Sequence, residues 1–167
     1  FEKIQSYTDT ADTGTDYLCS IIYGIYQKEA YILDVIYTNE PMEITEPLVA
    51  KHLFDYKVNE AYIESNNGGR GFSRQISHYL TDIHNTNYTT IIPFHQSKNK
   101  QSRILSNATW IMEHIYFPQN WHNKFPDFYK AITSYQREGK NLHDDAPDAL
   151  TGVAEKINTQ TPIFSFD

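Results

Sequence analysis

The sequence is poor in cysteine and has no long apolar run. Its single cysteine, Cys19, cannot form an internal disulfide, so a small disulfide-bonded secreted scaffold is excluded. A transmembrane helix needs about 20 consecutive apolar residues, and no segment of the chain approaches this length. The first residues, FEKIQSY, also lack the apolar core of a secretory signal. We therefore expect a soluble, intracellular protein that has no membrane partner.

Positive charge is scarce as well. The chain has 14 Lys and Arg residues against 21 Asp and Glu residues, which gives a net charge of -7 at pH 7. Because affinity for nucleic-acid phosphates comes mainly from Lys and Arg, this balance argues against a protein that binds DNA unaided. It does not argue against a nuclease that another protein delivers to DNA. The cations form two local groups, interpreted either as phosphate contacts or as solvated surface charge: Arg70 with Arg74, and Lys98 with Lys100 and Arg103.

Aromatic residues are abundant, with 13 tyrosines and 9 phenylalanines available for a core. No repeat, low-complexity segment or linker divides the chain, so we predict one domain over residues 1–167. Trp110, Trp121 and most of the tyrosines are expected to pack in the core or in loops rather than to stack on bases. The histidines lack the paired spacing of zinc ligands, so a zinc site is not expected.

Hydrophobic periodicity predicts a mixed α/β fold. Alternating patterns and turn residues predict five strands, over residues 4–11, 16–27, 29–38, 59–65 and 89–95. Helical spacing predicts helices over residues 43–56, 73–84, 100–116, 125–137 and 145–157. Short connections make the first three strands antiparallel, and helical crossovers make the fourth and fifth strands parallel to the first. This is the element order of a ribonuclease-H-like α/β fold, a mixed five-stranded sheet flanked by helices.

Two of the predicted helices have distinctive sequences. Pro47 fits a helix only in its first turn, so the helix over residues 43–56 should begin close to it. The helix over residues 100–116 carries a set of apolar residues at helical spacing, and we expect them to face the core: Ile104, Leu105, Ala108, Ile111, Met112 and Ile115.

Acidic residues stand at three places where predicted elements begin or end. Asp9 follows the first strand, Glu64 ends the fourth, and Asp144, Asp145 and Asp148 open the last helix. In the predicted sheet these three places meet at one edge. Carboxylates gathered in this way repel one another, and divalent cations usually neutralise them. Because oxygen ligands favour Mg²⁺ or Mn²⁺ over zinc, the pattern predicts a phosphodiester-cleaving metal site with Asp9, Glu64, Asp145 and Asp148 as ligands and catalytic residues.

Each acidic group also has a purely structural interpretation. Asp9 could cap the polar turn that follows it. Asp144 or Asp145 could be the N-cap of the last helix, although one cap needs only one of the three carboxylates there. Assistance from four further residues stays open: Asp12, Asp16, Asp144 and His143.

Four segments, in this order, resemble the nuclease domain of the large terminase subunit of tailed bacteriophages. They are YTDTADTGTDY with Asp9, ESNNGGRGFSRQI with Glu64, the basic helix NKQSRILSNATWIMEHIYFP, and GKNLHDDAPDAL with Asp145 and Asp148. The last segment, a His followed by Asp residues that open a helix, is the most specific. The resemblance covers essentially the whole chain.

The resemblance implies an endonuclease that cuts viral DNA during genome packaging by two-metal phosphodiester hydrolysis. It implies two divalent cations, Mg²⁺ or Mn²⁺, as cofactors. The implied partners are double-stranded DNA, the parent ATPase domain, the portal protein and the small terminase subunit, in the host cytoplasm at the procapsid. Terminase ATPase domains carry a GxxxxGK[ST] phosphate loop, which this sequence lacks. We therefore expect the nuclease domain alone, without ATP hydrolysis of its own.

Two other functions remain as alternatives. One is a different nuclease of the same fold, such as a junction resolvase or a transposase-like enzyme. The other is a catalytically silent module that docks a portal or capsid protein. A silent module would not need acidic residues at all three places, so their presence favours the enzyme.

Overall fold

The computed structural model describes residues 1–11 and 15–159 of the chain. Its centre is one mixed sheet of six strands in the order β5-β4-β1-β2-β3-β6. The strands are β1 (Lys3–Asp9), β2 (Leu18–Tyr26), β3 (Glu29–Thr38), β4 (Glu60–Glu64), β5 (Thr90–Phe94) and β6 (Ile115–Tyr116). The helices are α1 (Met42–Asp55), α2 (Gly69–His78), α3 (Lys100–His114), α4 (Trp121–Lys124), α5 (Pro126–Thr133) and α6 (Asp145–Thr159). The predicted ribonuclease-H-like α/β fold is confirmed.

The first three strands form an antiparallel meander, as predicted. β1 pairs with β2 from Lys3 opposite Ile25 to Asp9 opposite Cys19. The turn between β2 and β3 has only two residues, Gln27 and Lys28, with φ values of 50° and 64°. Two successive left-handed residues match the right-handed twist of a hairpin, so this turn directs β3 back along β2.

Helical crossovers place β4 and β5 parallel to β1. β4 pairs with β1 on one side and β5 on the other, in parallel register. Because the carboxyl ends of parallel strands lie at the same edge of a sheet, Asp9 and Glu64 end side by side. A single turn of 3₁₀ helix, Asn66–Gly68, then leads from β4 directly into α2.

The sheet and α1 each differ from the prediction. The sheet has a sixth strand, because Ile115 and Tyr116 leave the helical path and pair in parallel with Ala30 and Tyr31. Their apolar side chains continue the periodicity of α3, so two extended residues could not be told from a last helical turn. Pro47 lies inside α1, beyond the first turn, because the helix already begins at Met42.

Helices cover both faces of the sheet and enclose two apolar clusters. On one face, α5 and α6 pack with the β1 and β2 side chains Tyr7, Ile21 and Tyr23. The other cluster lies under α1 and α2. Since side chains alternate along a strand, Tyr7 and Asp9 share the face that α6 covers. The predicted apolar stripe of α6 is buried as expected: Ala146, Ala149, Leu150, Val153 and Ile157.

The inward face of α3 differs from the prediction. Ile104 is buried, but Leu105 is 38% exposed and Met112 is 84% exposed. The buried neighbour of Ile104 is instead a charged residue, Arg103, at 4% exposure. Carboxylates of α6 pair with Arg103 across the α3–α6 interface, and this compensates for its burial. Among the described helices, none is long and apolar enough to cross a membrane.

Candidate active site

Asp9 and Glu64 form the first half of the acidic site. They are the last residues of two adjacent parallel strands, and their exposures are only 8% and 5%. Burial raises the pKa of Asp9 well above its usual value, and the negative charge of Glu64 raises it further. This shift means that the fold holds two carboxyl groups close together at a cost in electrostatic free energy.

The beginning of α6 supplies the second half. Asp148 is 2% exposed, one turn after Asp145 on the same helix face. Burial raises the pKa of Asp148 to about 6, although the charges of Arg103 and Lys100 oppose the increase. The charges of Asp148 and Asp145 also contribute to the raised pKa of Asp9, so α6 adjoins the ends of β1 and β4. The structure thus brings together the four predicted ligands: Asp9, Glu64, Asp145 and Asp148.

A lysine ammonium group lies among these carboxylates. Lys100 Nζ is 3.1 Å from oxygens of both Asp144 and Asp145 and 3.6 Å from Asp148 Oδ2. Burial lowers the pKa of Lys100, but the neighbouring carboxylates together raise it well above its usual value. Lys100 is therefore positively charged and half-buried. Its ammonium group offsets the same carboxylate charges that a bound metal cation would offset.

The side chains fit divalent cations by their chemistry. Every predicted metal ligand offers a hard carboxylate oxygen. The carboxylates also outnumber the two positively charged side chains that contact them, Lys100 and Arg103. In the part of the chain that the structure describes, no three Asp, Glu, His or Cys residues surround a single point as a metal site would.

Two buried residues contact the predicted ligands, and the sequence did not indicate either contact. The hydroxyl of Tyr7 donates a hydrogen bond to Glu64 Oε1. Arg103 Nη1 donates to Asp148 Oδ1 at 2.5 Å, and its other nitrogens bind Glu155. The only available signal for Tyr7 was its position two residues before Asp9, on the same face of β1.

The predicted DNA-contacting residues fall into two groups. Arg70 and Arg74 on α2 and Lys98 before α3 are exposed, so they can reach phosphates. Lys100 and Arg103 point into the acidic site instead. Arg103 is buried and its guanidinium is held by two carboxylates, so a phosphate contact by this residue is not consistent with the structure.

The remaining candidates lie around the entrance of the site. A cleft of about 430 Å³ is lined by Thr15, Asp16, Lys100, Leu142, His143, Asp144 and Asp145. Asp16 is exposed, and the ring of His143 packs edge-on against Tyr17, with 5.0 Å between the ring centroids. The backbone N–H of Tyr17 donates to Asp145 Oδ2 at 3.2 Å. Asp12 lies outside the described residues.

Comparison with known protein families identifies the chain. Residues 8–115 match the family described as the bacteriophage T7 terminase, ribonuclease-H-like domain. The chain belongs to this terminase family. The matched residues include Asp9 and Glu64 and end before the α6 carboxylates. Among curated proteins, no sequence matches the chain significantly.

Solved structures share the fold of this terminase domain at low sequence identity. A K428A mutant of gp2c of the large terminase subunit of bacteriophage Sf6, with calcium, has a TM-score of 0.66 and 12% identity over 91% of this chain and 88% of its own. The human cytomegalovirus terminase nuclease domain, soaked with Mn and bound to an inhibitor, has a TM-score of 0.64 and 15% identity over 92% and 82%. The fowlpox virus Holliday junction resolvase has a TM-score of 0.61 and 13% identity over 95% and 99%. At these identities, the similarity shows the fold alone.

Proposed function

We propose that this terminase domain is an endonuclease that cuts double-stranded viral DNA during genome packaging, with two divalent cations, Mg²⁺ or Mn²⁺. The observation that supports this function best is the meeting of Asp9, Glu64, Asp145 and Asp148 at one edge of the sheet, where burial and mutual repulsion raise the pKa of Asp9. A purely structural role gives no reason to bury so many acids together. Family membership supports the same function.

The residues have distinct roles in this proposal. Asp9 would contact both cations, because the charges of Glu64 and of the α6 carboxylates all act on it. Glu64 would hold one cation together with Asp9, and Asp145 and Asp148 would hold the other, also together with Asp9. Bound Mg²⁺ or Mn²⁺ would supply an activated water and offset the charge that develops on the phosphate during in-line displacement. Lys100, charged and next to the same carboxylates, is placed to contact an incoming phosphate oxygen.

Delivery to DNA depends on partners in this proposal. Because its net charge is -7, long-range electrostatic attraction adds little to the affinity of the domain for DNA. The exposed side chains Arg70, Arg74 and Lys98 would contact phosphates of the DNA backbone. An ATPase domain of the parent chain would hold the DNA nearby. The portal protein and the small terminase subunit would assemble with that parent chain at the procapsid, in the host cytoplasm.

A plasmid-nicking assay tests the proposed activity. Supercoiled plasmid should be converted to open-circular and linear forms with Mn²⁺ or Mg²⁺ but not with EDTA. Asp9→Asn should abolish cleavage, because the bridging carboxylate is lost while the shape of the side chain is kept. Full activity in excess chelator would reject the metal mechanism.

A junction-resolving nuclease is the second candidate, and one observation favours it. The chain covers 99% of the fowlpox virus Holliday junction resolvase with the same fold. Linear duplex and a four-way junction of equal length, cut side by side with Mn²⁺, separate the two functions. Comparable rates support the packaging endonuclease, whereas a strong preference for the junction supports the resolvase. A folded domain that cuts neither substrate and binds no Mn²⁺ would point to a silent docking module.

A further inference from the structure

Two buried polar side chains touch the acidic site from the core side. Tyr7, in β1, is fully buried, and its hydroxyl donates to Glu64 Oε1. Arg103, in α3, is 4% exposed, and its Nη1 donates to Asp148 Oδ1 at 2.5 Å. Each of these carboxylates therefore has one oxygen fixed by a donor that lies beneath it.

We infer that Tyr7 and Arg103 are positioning residues for the divalent cations, because each fixes one oxygen of a ligand carboxylate and directs the other oxygen toward the site. This inference rests on the proposed function, since it requires Glu64 and Asp148 to be metal ligands. Neither residue is placed to touch the substrate. Carboxylates that bind metals are commonly oriented by hydrogen bonds of this kind, and loss of such a partner typically weakens metal binding about 10- to 100-fold.

The packing of Tyr7 leaves its hydroxyl little freedom. Its ring lies 5.6 Å from that of Phe94, measured between centroids. On the α6 side, Gly152 faces the ring so closely that any Cβ at this position would overlap it. The hydrogen bond to Glu64 is thus maintained by the packing of the core.

Arg103 is anchored by a second carboxylate. Its Nε lies 3.1 Å from Glu155 Oε1, and its Nη2 lies 2.9 Å from Glu155 Oε2. Glu155 follows Asp148 by two turns of α6, so both contact the same guanidinium group. Glu155 orients the planar guanidinium group and leaves Nη1 free to bind Asp148. The single ammonium group of a lysine cannot make both contacts in this geometry.

The second oxygen of each carboxylate is not held by Tyr7 or Arg103. Within residues 1–11 and 15–159, no hydrogen bond reaches Glu64 Oε2. Asp148 Oδ2 lies 3.6 Å from Lys100 Nζ, the group that occupies the centre of the acidic cluster. Each carboxylate therefore keeps one oxygen that these two donors leave available to a cation.

Replacement of Tyr7 by phenylalanine tests the inference, because it removes one hydroxyl and keeps the ring. Titration of the domain with Mn²⁺ alone, followed by calorimetry, should give an affinity about 10- to 100-fold lower for Tyr7→Phe than for the parent. Cleavage by the variant should recover as Mn²⁺ is raised to saturation. An unchanged Mn²⁺ affinity would overturn the role of Tyr7.

Tyr23→Phe is the matched control. Tyr23 is also fully buried, on the neighbouring strand, and its hydroxyl donates to Gln5 Oε1 at 3.2 Å, four residues before Asp9 along β1. Both variants lose one buried hydrogen bond, so their melting temperatures in EDTA should decrease by similar amounts. Only Tyr7→Phe should lose Mn²⁺ affinity. An equal loss of Mn²⁺ affinity in Tyr23→Phe would show that general destabilisation, and not positioning, is responsible.

Arg103→Lys tests the second positioning residue in the same titration. It keeps the positive charge but cannot hold Glu155 and Asp148 together, so Mn²⁺ affinity should fall while the domain stays folded by circular dichroism. Mn²⁺ affinity equal to the parent in folded Arg103→Lys would overturn this half of the inference. The proposed function has its own control: if the parent binds no Mn²⁺, or if Asp9→Asn binds it equally well, the metal site itself is rejected.

Discussion

At the scale of single residues, the proposed mechanism depends on carboxylates whose mutual repulsion should destabilise the domain in the absence of cations. Asp9 is buried beside Glu64 and near the carboxylates of α6, and its pKa is raised for these reasons. A residue that served as a turn cap would instead stabilise the fold through its charge and hydrogen bonds. Stability measurements can therefore distinguish the two interpretations of Asp9.

We expect Asp9→Asn to leave the metal-free domain at least as stable as the parent, because it removes one of several charges that repel each other. Mn²⁺ should raise the melting temperature of the parent by mass action, worth about 2.7 kcal/mol at 100 times Kd. The variant should lose most of this increase. Melting curves of both proteins, each with EDTA and with Mn²⁺, provide the comparison. A destabilised variant with an undiminished Mn²⁺ response would remove Asp9 from the metal site.

The raised pKa of Asp148 predicts a dependence of stability on pH. Burial raises this pKa to about 6 in the folded protein, against an ordinary value of 3.8. Because the folded state holds the proton more tightly, the contribution of this group is fully present below pH 3.8 and is lost as pH rises through 6. In EDTA, the parent should lose up to about 3 kcal/mol of stability relative to Asp148→Asn between about pH 4 and 7. Chemical denaturation at intervals of pH measures this difference, and a constant difference would contradict it.

At the scale of elements, the short connection from β4 to α2 determines where Glu64 lies. Gly69 begins α2, and a Cβ at this position would overlap the backbone carbonyl of Glu64. Gly71, two residues later in the same turn of helix, has open space around it. The two glycines therefore form a matched pair for testing the connection.

Gly69→Ala should destabilise the domain by about 1–3 kcal/mol, because backbone atoms must move to accept the new methyl group. The movement displaces Glu64, so the increase in melting temperature with Mn²⁺ should also shrink. Gly71→Ala should be neutral or stabilising by about 0.4–1 kcal/mol, since alanine restricts the unfolded chain. Equal effects of the two substitutions in thermal melts would show that the close approach of Gly69 does not matter.

The elements also show which features the sequence could reveal. Strands β1 to β5 and the last helix have clear periodic patterns, and the acids at their ends could be placed at one edge from the order of elements alone. β6 could not be predicted, because two residues have no period of their own. The burial of Arg103 depends on carboxylates 45 and 52 residues later in the chain, and a charged residue on an amphipathic helix ordinarily faces solvent. The role of Tyr7 depends in the same way on a contact with a distant strand.

At the scale of the whole molecule, the acidic surface limits how tightly the domain can bind DNA. The net charge of -7 opposes a polyanion, and the exposed cations proposed as phosphate contacts are few: Arg70, Arg74 and Lys98. Each phosphate that a cation neutralises contributes a slope of about -0.9 to the dependence of log K on log salt. A small number of contacts therefore predicts weak binding that salt readily disrupts.

We expect the isolated domain to bind a 30-base-pair duplex weakly, measured by fluorescence anisotropy in EDTA at several salt concentrations. Replacing Arg70, Arg74 and Lys98 together by glutamine should weaken binding and reduce the magnitude of the salt slope by about 1 for each lost phosphate contact. A control variant with the same charge change replaces three exposed lysines that lie away from this edge: Lys28, Lys51 and Lys57. It should lower affinity only through net charge, with a smaller change of slope. Tight binding that persists at high salt would contradict the proposal that the parent motor must deliver the domain to DNA. Equal effects of the two triple variants would show that DNA binds elsewhere on the surface.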